Sequence, residues 1–97
     1  MNKSTLILQI NKEPIEFNIN NKIKVLKIRT KFIFFLNGKE KIVRNFYLFF
    51  YYYKKKNNLL FCRKGDYVLV EGFMSKTNNS YMKEKIKIFA SEVYLLF

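Results

Sequence analysis

Residues 60–74, Leu-Phe-Cys-Arg-Lys-Gly-Asp-Tyr-Val-Leu-Val-Glu-Gly-Phe-Met, decide how this 97-residue chain folds. A basic turn, Arg63-Lys64-Gly65-Asp66, feeds an alternating strand from Tyr67 to Glu71, and Gly72 stands where that strand must bend. A small curved barrel needs such a glycine, because side chains crowd on the inside of the bend. In front of the turn lies the run Phe46-Tyr47-Leu48-Phe49-Phe50-Tyr51-Tyr52-Tyr53, and behind it one more strand.

Working outward, the apolar pattern keeps a period of two, which argues for strands. Residues 5–10 alternate weakly and form a first strand. Pro14 breaks the chain, after which Ile15, Phe17 and Ile19 alternate with Glu16, Asn18 and Asn20. From Ile23 to Leu36 a long strand places Leu26, Ile28, Thr30, Phe32 and Phe34 on one face, with Lys27, Arg29, Lys31, Ile33 and Phe35 on the other. Asn37-Gly38 marks a hairpin, since both residue types tolerate positive φ. The return strand, residues 41–53, turns Phe46, Leu48, Phe50 and Tyr52 to one side. Asn45, Tyr47, Phe49, Tyr51 and Tyr53 face the other way.

Residues 54–63 are the one stretch that reads as a helix, with Leu59, Leu60 and Cys62 as a short apolar stripe weakened by Asn57-Asn58. A strand over 67–76, a polar turn at Thr77-Asn78-Asn79-Ser80 and a last strand over 81–95 complete the chain. In the last strand Ile86, Ile88 and Ala90 alternate against Lys85, Lys87 and Phe89. The order is three strands, a short helix and two strands. That is the plan of the OB-fold, a five-stranded Greek-key barrel, and residues 1–97 are expected to form one such all-β domain with no C-terminal tail.

Composition narrows the function. Nineteen Lys and Arg against seven Asp and Glu leave a formal net charge of +12, a self-repulsion that a polyanionic partner relieves. Lys, Asn, Ile, Phe and Tyr supply 55 of the 97 residues. All are read from A/T-rich codons, so drift accounts for part of the excess. With no apolar or Arg/Ser-rich leader, a plastid-encoded protein or one from the cytoplasm of an AT-rich bacterium is expected. Lysines interrupt every apolar run, so no membrane partner is expected. Cys62 is the sole cysteine and there is no histidine, which excludes a disulfide within the chain and a His/Cys zinc site and removes the commonest general base. Cys62 reads as a small buried hydrophobe. An enzyme and a cofactor are therefore not expected.

The block Lys64-Gly65-Asp66-Tyr67-Val68-Leu69-Val70-Glu71-Gly72 resembles the "KG-x-x-V-x-V-E-G" turn and fourth strand of the bacterial-type single-stranded DNA-binding protein family, most nearly its divergent plastid-encoded members. Glu13-Pro14 fits the family's "DP-E" position, and the resemblance spans nearly the whole chain. It implies an OB barrel that wraps single strands over rings and cations, assembled as a tetramer or, as in the tailless primosomal relatives, a dimer. Counted back from Lys64-Gly65, the family's third-strand stacking positions fall at or near Asn45 and on Tyr51. A further stacking position falls near Asn79, with Tyr81 the nearest ring. The chain departs from the family in having no tryptophan, in Asn45 where a ring is common, and in lacking the acid-tipped tail.

The expected function is thus non-sequence-specific binding of single-stranded DNA by ring stacking and Lys/Arg–phosphate contacts, in replication, recombination or repair. The expected contact residues are Lys27, Arg29, Lys31, Phe35, Tyr47, Phe49, Tyr51, Tyr53, Lys54 and Tyr81. Binding of RNA, a primosomal accessory role, or a structural subunit that uses its aromatic face for protein contact are the alternatives.

Overall fold

In the computed structural model, which describes residues 3–53, 62–79 and 82–96, six strands form one sheet. They are β1 (Lys3–Ile10), β2 (Ile15–Asn18), β3 (Ile23–Leu36), β4 (Glu40–Tyr53), β5 (Tyr67–Asn79) and β6 (Met82–Leu95). β1 joins β5 from Lys3 to Gln9 and meets β3 at Gln9↔Lys31 and Ile10↔Thr30. The sheet therefore closes in the ring β1-β3-β4-β6-β5-β1, with β4 and β6 parallel and every other pairing antiparallel. This is the expected OB barrel.

Alternation explains the core. Leu8, Ile10, Ile28, Leu48, Val68, Val70 and Ile88 point inward and are nearly or completely inaccessible, with Phe46 and Cys62 beside them. Thr30, a buried polar residue, lies opposite Phe46 and donates its hydroxyl to the Phe46 carbonyl at 3.1 Å. Cys62 is buried, as the sequence suggests, and that burial holds its thiol up to about 11, with the charges of Asp66 and Glu13 adding to it.

Gly72 makes the bend. The β5–β6 register slips between Glu71 and Gly72, so that Glu71 faces Glu92 while Gly72 faces Ala90. Ser91, the extra residue of this bulge, donates its hydroxyl to the Glu71 carbonyl at 3.2 Å. The turn before β5 is equally built for its place. Gly65 has φ of 96° and its N–H donates to the Ile10 carbonyl at 2.8 Å, while Asp66 accepts the Arg63 N–H on its carboxylate at 2.8 Å. The Lys64 N–H donates to Glu13 at 3.1 Å. The most family-like block is thus a joint that ties the fourth barrel strand to the end of the first.

Three details differ from the sequence reading. The break at Pro14 yields a separate strand, β2, because residues on both sides of it pair with the same edge of β3. The Asn11 and Lys12 N–H groups share the Arg29 carbonyl at 2.8 and 3.4 Å, and pairing resumes at Ile15↔Lys27. The polar turn expected at 77–80 is instead strand as far as Asn79, with Thr77↔Lys85 and Asn79↔Met82 paired. Pairing with β6 gives that backbone the hydrogen-bond partners that keep it extended. The helix expected over 54–63 falls mostly on 54–61, which lie outside the described residues. Its last two residues, Cys62 and Arg63, are not helical, and no helix occurs among the described residues.

All four residues of β2 are exposed, so little apolar burial holds it. Its fastening is polar. Lys24 donates to the Glu16 carboxylate at 2.7 Å, and the hydroxyl of buried Tyr52 donates to the other carboxylate oxygen. The bonds from Lys24 and Tyr52 hold the Glu16 carboxyl below its usual range, while burial, the bond to Glu16 and its charge push Tyr52 up to about 12. A depressed folded-state pKa stabilises above the ordinary glutamate range and is lost as pH falls through the folded value. Glu16→Gln is accordingly expected to flatten the acid side of a plot of melting temperature against pH, leaving the curve between pH 6 and 8 nearly parallel to wild type. An acid limb as steep as wild type would show that Glu16 contributes nothing there.

Candidate nucleic-acid interface

Register carries the outward side chains of β3 and β4 into rows. Lys27 lies opposite Phe49, Arg29 opposite Tyr47 and Lys31 opposite Asn45. The cations lean onto the rings. Lys27 Nζ is 5.8 Å from the Phe49 centroid, and Arg29 Cζ is 5.7 Å from that of Tyr47. Such contacts hold long side chains in place while the charge stays in water.

The rows continue onto β6 and β5. Tyr47 pairs with Lys87 and Phe49 with Phe89, and beyond them stand Ser75 and Phe73. Phe49 and Phe89 stack at 5.7 Å with 22° between their planes, and Lys87 Nζ sits 5.9 Å from the same Phe49 ring. Phe73 and Phe89 remain exposed at 37% and 42%, an unusual state for large apolar rings in the middle of a sheet. Phe49 is therefore bracketed by two lysines and backed by a second ring. Among the described residues, Lys27, Arg29, Lys31 and Lys87 enter no ion pair, since the two salt bridges there use Lys3 with Glu71 and Lys24 with Glu16. Four cations and three or more rings on one convex face can hold a flexible polyanion that carries flat apolar groups.

The structure brings Lys27, Arg29, Lys31, Tyr47 and Phe49 together. Tyr51 and Tyr53 point the same way but stand opposite Val25 and Ile23, past the end of the cationic rows, and are 49% and 66% exposed. Phe35 is exposed on the arm of the β3–β4 hairpin opposite Lys41. Eight residues separate it from Lys27, roughly 27 Å along a strand, so it joins the face only if a bound strand reaches the arm. Lys54 and Tyr81 lie outside the described residues. Phe89, Lys87 and Phe73 were not among the expected contact residues. The alternation of the last strand shows that Lys87 and Phe89 point outward, but the parallel β4–β6 pairing that lays them beside Tyr47 and Phe49 has no local signature. Among the described residues no three of Cys, Asp and Glu come together as a metal site.

Neither the models of protein families nor the sequences of curated proteins match this chain. Solved structures do. The SSB domain of a Synechococcus sp. protein aligns with 97% of this chain and 94% of its own, at TM-score 0.69 and 17% identity. A deletion mutant of the single-stranded DNA binding protein from Thermus aquaticus aligns with all of this chain at TM-score 0.61 and 16% identity. This chain spans about half the length of that protein, 51%. At these identities the likeness lies in the path of the backbone. Ring closure, strand order and these structural neighbours agree that the chain has the OB-fold of single-stranded DNA-binding domains.

Proposed function

We propose that this protein is a non-enzymatic binder of single-stranded DNA without sequence preference, serving replication, recombination or repair. The observation that carries the proposal is the bracketing of Phe49 by Lys27 and Lys87, with Phe89 stacked behind it and Arg29 over Tyr47 alongside. Rings accept any base because every base has a π-face, at about 1–3 kcal/mol for each stack. Cations beside them neutralise phosphates and release counterions. Rings and cations make up most of the rows, and both take bases and phosphates of any sequence.

Titration of the protein with oligothymidine at two ionic strengths tests this, with tyrosine fluorescence as the signal and RNA of matched length as the competitor. Binding that weakens steeply with salt is expected. Lys27→Gln with Arg29→Gln should flatten the slope by about 1.4, at roughly 0.7 for each single-strand phosphate contact. No binding at low salt rejects the proposal in favour of a protein-contact role, and preference for the RNA replaces DNA as the partner. Self-association belongs to the same reading. Among the described residues, β1 meets β3 at Gln9 and Ile10 alone, so the edge of Lys3 to Leu8 away from β5 has no strand partner there. Sedimentation of the free protein as a monomer removes that part.

A further inference from the structure

We infer that β2 forms a second wall of this interface and seats one base of the bound strand against Phe17, with Glu16 as the residue that positions the wall. The inference rests on the single-strand reading above. Continuity is its first support. Ile15 lies opposite Lys27, which lies opposite Phe49, so one row runs from β2 across β3, β4 and β6 to Phe73 on β5. Phe17 is in the next row, opposite Val25, whose other partner is Tyr51.

The second support is a cavity of about 240 Å³ between β2 and β3, lined by Lys12, Glu13, Ile15, Phe17, Lys27 and Arg29. One wall is apolar and aromatic, and three cations stand around it. An apolar protein partner would have to strip water from all three with one carboxylate in reach, and Glu13 already accepts the Lys64 N–H. A nucleotide uses both sides, its base on the ring and its phosphates on the cations. Ile15 and Phe17 stay 55% and 48% exposed although they belong to a strand held in place.

That hold is the third support. Glu16, between Ile15 and Phe17, points to the opposite side of β2 and is bonded to Lys24 on β3 and to the buried Tyr52 hydroxyl on β4. Removing its charge frees the wall without touching any side chain that lines the cavity.

Oligothymidine binding by Phe17→Ala, Phe17→Tyr, Glu16→Gln, the double variant of Glu16→Gln with Phe17→Ala, and Phe49→Ala tests this. Phe17→Ala is expected to bind ~5- to 150-fold more weakly, the range that one base–ring stack spans, with the salt slope unchanged and Phe17→Tyr restoring the affinity. Glu16→Gln should weaken binding and speed amide exchange in β2 while the barrel amides stay protected. In the double variant it should add nothing to the loss from Phe17→Ala. Wild-type affinity in Phe17→Ala, with Phe49→Ala impaired, overturns the inference and leaves the single-strand reading standing. Additive losses overturn the role of Glu16. If the wild-type protein itself does not bind, both readings fall together.

Discussion

Gly72→Ala is expected to lower the free energy of unfolding by about 3 kcal/mol or more, shifting the urea midpoint with little change in its slope. A Cβ at this position lies 2.4 Å from the Phe89 carbonyl oxygen and 2.8 Å from the Ala90 Cα. Both are backbone atoms of the paired strand, so no side-chain rotation relieves the clash. Either the bulge opens or β6 moves away from β5, and each breaks the closure of the barrel. Gly38→Ala is the control, with nothing within 4 Å of its Cβ but φ of +71°. That backbone costs a non-glycine residue about 1 kcal/mol. Equal losses at the two positions would show that the close approach at Gly72 is not what the fold depends on. Displacing Phe89 also unstacks Phe49, so any folded fraction of Gly72→Ala should bind single strands poorly.

Phe49→Ala should weaken oligothymidine binding by about 1–3 kcal/mol while the protein stays folded. The ring is half-buried and central, the one that two lysines and a second aromatic ring all contact. Its removal takes away a stacking surface and also releases Lys27 and Lys87 from defined positions. The loss should therefore exceed that of Tyr53→Ala, whose ring lies beyond the cationic rows opposite Ile23. A larger loss at Tyr53 would move the centre of the interface toward the far end of β4.

Much of this was legible in residue order. Period-two alternation assigns Ile28, Leu48 and Ile88 to the interior and Lys27, Tyr47 and Phe49 to the outside, and the structure agrees at each position. Asn37-Gly38 turns as expected, with φ of 54° and 71°, and the Lys39 N–H closes it onto the Leu36 carbonyl at 3.1 Å. Such features depend on nearest neighbours along one strand, which is why they can be read. Strand ends were less legible. Thr77 and Asn79 look like turn residues until β6 supplies the partners that keep them extended.

Composition and alternation were enough to establish an all-β chain with a strong positive charge, a glycine hinge at Gly72, and rings sharing one side of a strand with lysines. Those properties are local or additive, so the order of residues contains them. Which rings become neighbours was settled by closure of the sheet. The parallel β4–β6 ladder joins residues about forty positions apart, setting Phe89 against Phe49 and Lys87 beside Tyr47. The same edge of β3 holds both β1 and β2, which is how Ile15 and Phe17 come to border Lys27. Pairing between distant strands depends on the shape of the whole barrel, and no short stretch of the chain encodes it.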